Sequence, residues 1–176
     1  MPDDDIASLR AHAHPVRLRI LSLLTGSSMS AAEVARELGL THANASYHLR
    51  VLAAAGEVVE AGEVQIRGGR AKRYRHPWQR GLETNATSST PEAQAETAEA
   101  MVAAMAQELV RRAGLREPGT RSWLTDADLW VPVETWTQVT GLLQEASRLV
   151  HAEARPPRSP ETVHVNLTAA LFQMRP

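Results

Sequence analysis

The sequence predicts a mainly α-helical fold with a small β component, on three observations. Apolar residues recur at helical spacing through most of the 176 residues. Short stretches of alternating apolar and polar residues, typical of strands, follow the third predicted core helix and recur near the carboxyl terminus. Thr, Asn and Ser dominate residues 81–90, which predicts a linker between an amino-terminal unit over 1–80 and a carboxy-terminal unit over 91–176.

Two helices are predicted before residue 27. The first covers residues 3–13 and is short. The second begins at Pro15, a residue favoured in the first helical turn, and ends near Gly26. Its apolar positions recur so densely that most of this helix is predicted to be core.

Two further helices are joined by a tight turn at Gly39. Ser30 and Glu33 have the spacing of a capping box, and Thr41 caps the longer helix that follows. The predicted inner face of that helix comprises Ala45, His48, Leu49 and Leu52. A short helix, a tight turn and a second helix with a polar outer face predict a helix-turn-helix, which places its second helix in the major groove of DNA.

A basic hairpin is predicted behind this recognition helix. Strand-like residues at 58–66 and 72–76 flank a glycine-containing tip at 67–70. Residues 64–80 contain six basic side chains and no acidic one: Arg67, Arg70, Lys72, Arg73, Arg75 and Arg80. The hairpin completes the pattern of a winged helix-turn-helix domain.

The charge distribution favours DNA as the partner of the amino-terminal unit. Residues 1–80 carry 11 basic and 8 acidic side chains, whereas residues 81–176 carry 8 and 12. The predicted groove contacts are His42, Ala43, Asn44, Ser46 and Tyr47, and Thr41 and Arg50 are predicted to hold phosphates. Phosphate or minor-groove contacts are predicted for the wing residues Arg67, Arg70, Lys72 and Arg73. His48 is predicted to be packed and hydrogen-bonded.

The carboxy-terminal unit, with two helices and two short strands, is predicted to be a region for dimerisation and, as an open alternative, also for effector binding. The first helix covers 91–113 with an apolar stripe, and the second covers 132–154. Strands are expected at 128–131 and 162–172. The two stripes are Ala98, Met101, Val102, Met105 and Leu109, and Val139, Leu142, Leu143, Ala146, Leu149 and Val150. Trp123, Trp130 and Trp136 could line a ligand pocket, but the core of this unit or of a dimer seam is favoured.

Composition excludes several other classes. The absence of cysteine rules out disulfides, thiolate metal sites and cysteine redox chemistry. The histidines have no metal-ligand spacing, so neither a metal nor a cofactor is predicted. The acidic amino terminus and the short apolar stretches predict no membrane association and a cytoplasmic location. Lys72 is the only lysine, which indicates a GC-rich bacterial genome.

Three segments together resemble the ArsR-type winged-helix repressors: residues 14–21, the Leu38-Gly39-Leu40 turn with the preceding Glu33-Val34-Ala35, and residues 46–52. The similarity continues through Gly56 and the wing to Tyr74 and covers about residues 6–77. It implies a homodimeric, usually repressing regulator that responds to a small effector, with His14 packed or hydrogen-bonded at a helix start. The cysteine pair of the family's metal sensors would fall near Ser30 and Ala32, so that metal site cannot form here.

The working hypothesis is therefore a homodimeric repressor that binds an inverted repeat in double-stranded DNA. A non-thiolate small-molecule effector of unknown binding residues would release it. A winged-helix adaptor that binds protein instead of DNA is the alternative. An enzyme built on the carboxy-terminal half is a weaker hypothesis, because that half contains no phosphate-binding loop, nucleophile elbow or metal triad.

Overall fold

The computed structural model describes residues 10–66, 69–79 and 91–174. Residues 10–12 are helical and residue 13 is a bend, while residues 3–9 of the predicted first helix and the predicted linker at 81–90 lie outside the described residues. The elements in chain order are α1 (Pro15–Thr25), β1 (Met29–Ser30), α2 (Ala31–Leu38), α3 (His42–Ala54), β2 (Val59–Ile66), β3 (Gly69–Arg75), α4 (Pro91–Ala113) and α5 (Val133–Ala152). The mainly helical class with a small sheet is confirmed.

Helices α1, α2 and α3 enclose the main apolar core. Its largest fully buried side chains are Ile20, Leu24, Val34, Leu49 and Leu52. Truncating such a side chain to alanine typically costs about 2–5 kcal/mol. The relative placement of the three helices therefore depends on this cluster, as the apolar spacing predicted.

The predicted helix signals between Ser30 and Thr41 are present. The Ser30 Oγ accepts a hydrogen bond from the Glu33 backbone N–H at 3.4 Å, and a Glu33 carboxylate oxygen accepts from the Ser30 N–H at 2.7 Å. Gly39 has φ of 66°, in the left-handed region that favours glycine. The capping box begins α2, and Gly39 ends it and turns the chain into α3 within three residues.

The wing is part of a three-stranded antiparallel sheet in the order β1-β3-β2. Met29 of β1 lies opposite Tyr74, and Val59 of β2 lies opposite Arg75. The hairpin register shifts between Glu60 and Glu63. Residues 67–68 at the hairpin tip lie outside the described residues.

Helix α4 packs against α1 of the same chain. Thr97, Ala104 and Glu108 are buried on its inner face. Val102 and Leu109 of the predicted apolar stripe are instead exposed on the outer side. The inner face thus contains more polar groups than expected. The Glu108 carboxylate can be buried there because Arg111 and Arg112 pair with it.

The predicted inner face of α5 is wrong for the single chain. Its least exposed residues are Trp136, Thr140, Leu143, Ser147 and His151, which share one helical face. Only Leu143 belongs to the predicted stripe. The exposed stripe residues with large side chains are Val139, Leu142, Leu149 and Val150. Hydrophobic periodicity correctly located an apolar face on α5, but the face that packs on the rest of the chain is a different one with both polar and apolar residues.

The predicted strands at 128–131 and 162–172 are also wrong, because neither segment forms a strand among the described residues. A strand requires a hydrogen-bonded neighbour, and neither segment has one in the part of the chain that the structure describes. Trp123 and Trp130 are 81% and 90% exposed, so they are not core of a single subunit. The favoured assignment to a subunit core is corrected for these two residues, whereas Trp136 is half-buried on the packed face of α5.

The segment after α5 returns to the amino-terminal unit. A Cβ placed on Gly26 would lie 2.5 Å from the backbone oxygen of Arg155. The Arg158 guanidinium lies 2.7 Å from a carboxylate oxygen of Glu37 on α2. These contacts connect the end of α5 directly to the helix-turn-helix. Every helix in the described ranges is too short or too polar to span a lipid bilayer.

We expect Gly26→Ala to lower the free energy of unfolding by about 1–3 kcal/mol, since the added methyl group meets a backbone atom that cannot rotate away. Gly141→Ala is the matched control, because nothing lies within 4 Å of its added Cβ and alanine favours the helix by about 0.5–1 kcal/mol. Urea denaturation of both variants measures the difference. Equal stability of the two variants would contradict the contact.

Candidate nucleic-acid interface

The recognition helix α3 has one buried side and one exposed side. Ala45, His48, Leu49 and Leu52 are buried, as predicted. The Thr41 Oγ1 accepts a hydrogen bond from the Asn44 N–H at 3.2 Å and so caps the helix. This cap leaves the Thr41 hydroxyl proton available to an acceptor such as a phosphate oxygen.

The predicted groove residues share the exposed side of α3. His42, Ala43, Asn44, Tyr47 and Arg50 are exposed, and Ser46 is half-buried. Tyr47 has 52% of its surface exposed although it is large and partly apolar. The structure therefore brings together all seven residues predicted on this helix, including the Thr41 cap.

The exposed wing residues lie beside acidic partners on the neighbouring strand. The Arg70 Nε lies 2.8 Å from a carboxylate oxygen of Glu63, and the Lys72 Nζ lies 2.6 Å from Glu60. Glu60 raises the pKa of Lys72 through this hydrogen bond. The acid-free window began after these glutamates, so the wing carries less net positive charge than the sequence window suggested. Such exposed pairs contribute little to stability and can exchange for a phosphate.

Arg73 occupies a different environment from the other wing residues. Its guanidinium lies 3.0 Å from a carboxylate oxygen of Glu33 and also donates to the side chain and backbone carbonyl of Ser28. Its side chain is only 25% exposed. Arg73 thus attaches β3 to the start of α2, whereas the sequence placed it with the phosphate contacts. Arg67, the remaining predicted wing contact, lies outside the described residues.

The Glu33 carboxylate is the centre of this attachment. Burial alone would raise its pKa, but hydrogen bonds from Ser30 and Arg73 outweigh burial and lower the pKa. The ionised form is therefore favoured in the folded protein. The cap of α2 and the position of the wing depend on the same charge.

A histidine pair beneath the recognition helix was not predicted as a unit. The rings of His14 and His48 have centroids 4.8 Å apart. The His14 Nδ1 accepts from the Val16 N–H at 3.1 Å, which confirms its expected role at a helix start. His48 is packed as expected, but its Nδ1 has no hydrogen-bond partner among the described residues. Residue spacing could not reveal this pair, because the two histidines are 34 positions apart in sequence.

Burial lowers the pKa of both histidines. The positive charge of Arg17 lowers both values further, and His14 also lowers that of His48. Both rings are therefore uncharged at neutral pH. This keeps the underside of α3 free of charge while its outer side remains polar.

These features define a winged helix-turn-helix domain, the fold of a class of DNA-binding transcription regulators. A family model described as a helix-turn-helix domain matches residues 13–59. The match covers α1 to the start of β2 and therefore includes the recognition helix. The comparison with curated proteins gives no match. Within the described parts of the chain, no group of three or more His, Asp or Glu side chains is placed to hold a metal ion.

We expect Arg73→Met to lower the free energy of unfolding by about 1–2 kcal/mol, because Glu33 loses a charge-assisted hydrogen bond while the aliphatic stem is retained. Arg75→Met removes an equal charge from an exposed position of the same strand and is the control. Urea denaturation measures both. A loss of equal size in the two variants would argue against the attachment through Arg73.

The histidine pair predicts that stability falls on acidification. The folded pKa values lie below the ordinary 6.5, so the unfolded chain binds protons more readily. The free energy of unfolding should therefore rise with pH between about 5 and 7.5. His48→Gln should reduce this slope, while the exposed His164→Gln should leave it unchanged. Part of the slope should remain in His48→Gln, because burial also lowers the pKa of His76. Urea titrations at several pH values test this, and an unchanged slope in His48→Gln would refute it.

Proposed function

We propose that the protein is a homodimeric, ArsR-type transcription repressor that binds an inverted-repeat operator. The observation that carries this proposal is the exposed side of α3, which presents Asn44, Tyr47 and Arg50 on a rigid, capped helix. Amide and guanidinium groups match base edges and phosphates, and the wing supplies further cations beside them. The helix-turn-helix match supports DNA binding, and the resemblance of residues 6–77 supports repression.

A second copy of the chain is the partner we assign to the carboxy-terminal region. Large apolar side chains are exposed in three places: on α5 with Leu142 and Leu149, in the segment at 120–131 with Trp123 and Trp130, and at 162–172 with Val163. Large apolar side chains exposed in this number favour an interaction site over open solvent. The two extended segments also have no strand neighbours among the residues that the structure describes, and a symmetric copy supplies identical segments for pairing.

Operator geometry favours the same partner. Winged-helix dimers place two recognition helices about 34 Å apart, one turn of DNA. Each helix then contacts one half of an inverted repeat. A dimer formed through the carboxy-terminal region would leave α3 and the wing of each subunit free for DNA.

A test of operator binding uses purified protein and DNA fragments from around its own gene. Arg50→Ala should weaken specific binding about tenfold or more, because α3 loses a phosphate contact at its exposed side. Tyr47→Ala should lower the preference for the specific fragment. Arg148→Ala removes an exposed arginine from α5 and is the charge-matched control.

Salt dependence separates the repressor from a protein-binding adaptor. If the dimer neutralises six to ten phosphates, affinity should fall about a thousand-fold or more between roughly 50 and 200 mM salt. The carboxylate partners of Arg70 and Lys72 are the observation that favours the adaptor. Absent or salt-insensitive binding by the parent protein would contradict the repressor.

The dimer is tested separately by analytical ultracentrifugation. Leu142→Asp with Leu149→Asp should shift the protein from dimer to monomer, because both side chains are exposed in the single chain and need not affect its fold. Gln138→Asp with Gln144→Asp places the same two charges at exposed polar positions of α5 and is the control. A dimer that persists in the double variant would exclude this face.

A further inference from the structure

A cleft of about 290 Å³ separates the winged domain from the carboxy-terminal helices. Leu18, Leu21, Ser22 and Thr25 of α1 form one wall, and α4, α5 and the segment at 167–169 form the others. The volume is close to the lower end of small-molecule sites, which start near roughly 300 Å³. A ligand that fits is therefore compact.

The charges in this cleft are already compensated. The Glu108 side chain is only 4% exposed, and its carboxylate lies 2.8 Å from the Arg111 Nη2 and 3.4 Å from the Arg112 Nε. Arg112 also donates to the Asn166 side-chain oxygen at 3.0 Å. An ionic ligand would have to compete with these pairs, so an uncharged ligand fits better.

The histidines of the cleft retain hydrogen-bond acceptors. The His76 Nδ1 lies 2.7 Å from the Glu57 carbonyl oxygen, and the His151 Nδ1 lies 2.7 Å from the Ser147 carbonyl oxygen. A carbonyl oxygen can only accept, so each Nδ1 carries the proton, and in the neutral ring Nε2 is an acceptor. Burial lowers the pKa of His76, which favours this neutral form.

The hydroxyl groups of α1 follow the same pattern. Ser22 donates its proton to the Leu18 carbonyl oxygen and Thr25 donates to Leu21, both at 2.9 Å. Their oxygens keep lone pairs but no free proton. Apolar side chains such as Met105 and Leu143 supply much of the remaining lining. The cleft therefore combines apolar walls with acceptors and matches a ligand that has an apolar body and donor groups.

We propose that this cleft binds a compact, uncharged hydroxylated aromatic compound of the phenol type, and that this ligand is the effector of the repressor. The Trp78 ring lies beside His151, with centroids 5.4 Å apart, and adds a flat aromatic surface near the site. Hydroxyl protons of the ligand reach the acceptors at His76, His151 and Thr25. The effector role, unlike the binding site, rests on the proposed repressor function.

The cleft is connected to the DNA-binding helices by the chain that leaves α5. His151 is near the end of α5, and the following residues contact Gly26 and pair with Glu37 on α2. A ligand held between α1 and α5 changes the position of this connection relative to the helix-turn-helix. Effector coupling of this kind typically changes affinity about 5- to 150-fold.

The site is tested by titrating the full chain with resorcinol in the absence of DNA and measuring NMR chemical shifts at each step. Resorcinol has two hydroxyl donors, 1,3-dimethoxybenzene has none, and benzoate carries a negative charge. We expect resorcinol to shift cleft residues and to bind at least about tenfold tighter than either of the other two. Undetectable resorcinol binding, or equal binding of the three probes, would overturn the site.

Two variants on different elements test the assigned acceptors. Thr25→Val and His151→Phe keep shape and ring but remove an acceptor, and each should weaken resorcinol binding about fivefold. His164→Phe, outside the cleft, is the control and should bind as the parent does. If one variant does not fold, resorcinol binding by the other still tests the assigned acceptors. Parent-like binding in the variant that folds would overturn the assignment of the acceptors.

The effector role is tested by operator binding with and without resorcinol. The effector role is supported if resorcinol weakens operator binding by the parent protein but not by Thr25→Val. Unchanged operator binding at saturating resorcinol overturns it while leaving the site intact. Failure to bind any operator would instead count against the proposed repressor and not against the cleft.

Discussion

The winged domain depends on a single carboxylate. Glu33 accepts from the Ser30 backbone and hydroxyl at 2.7 and 2.9 Å, and it also pairs with Arg73 of β3. The start of α2, the short strand β1 and the returning strand of the wing therefore converge on one charge. Removing that charge would take one acceptor from the partly buried Arg73 guanidinium and would leave the Ser30 backbone N–H without its acceptor. The angle between the wing and the recognition helix is consequently part of the fold.

The basic residues of the wing have two different environments as a result of this arrangement. Arg73 is used inside the domain, whereas Arg70 and Lys72 lie at the surface with exchangeable partners. The recognition helix shows the same separation between its two sides. Uncharged His48 and its apolar neighbours support α3 from below, and polar side chains occupy its outer face. A rigid scaffold and an exposed polar face are the requirements for positioning side chains against base edges.

The two carboxy-terminal helices, α4 and α5, differ in which side chains they leave exposed to solvent. Helix α4 packs its inner face on α1 and buries Glu108 among arginines. Helix α5 packs a mixed polar face that contributes Ser147 and His151 to the cleft, and it leaves most of its apolar stripe exposed. The face towards the winged domain thus carries hydrogen-bonding groups, and the neighbouring face carries exposed apolar side chains. Helix α5 therefore contributes to both the proposed ligand site and the proposed subunit interface.

The sequence alone determined the helices α1 to α3, their caps, the hairpin and the exposed side of α3. These features arise from local rules: apolar spacing, the Ser30 and Glu33 capping pair, and a glycine at a left-handed turn. Only the tertiary structure decided that Arg73 pairs with Glu33, that His14 meets His48, and which face of α5 packs inward. Those outcomes depend on contacts between residues far apart in the sequence. The strand-like segments of the carboxy-terminal region show the same limit, because alternation predicts a strand but its hydrogen-bond partner must come from another part of the structure.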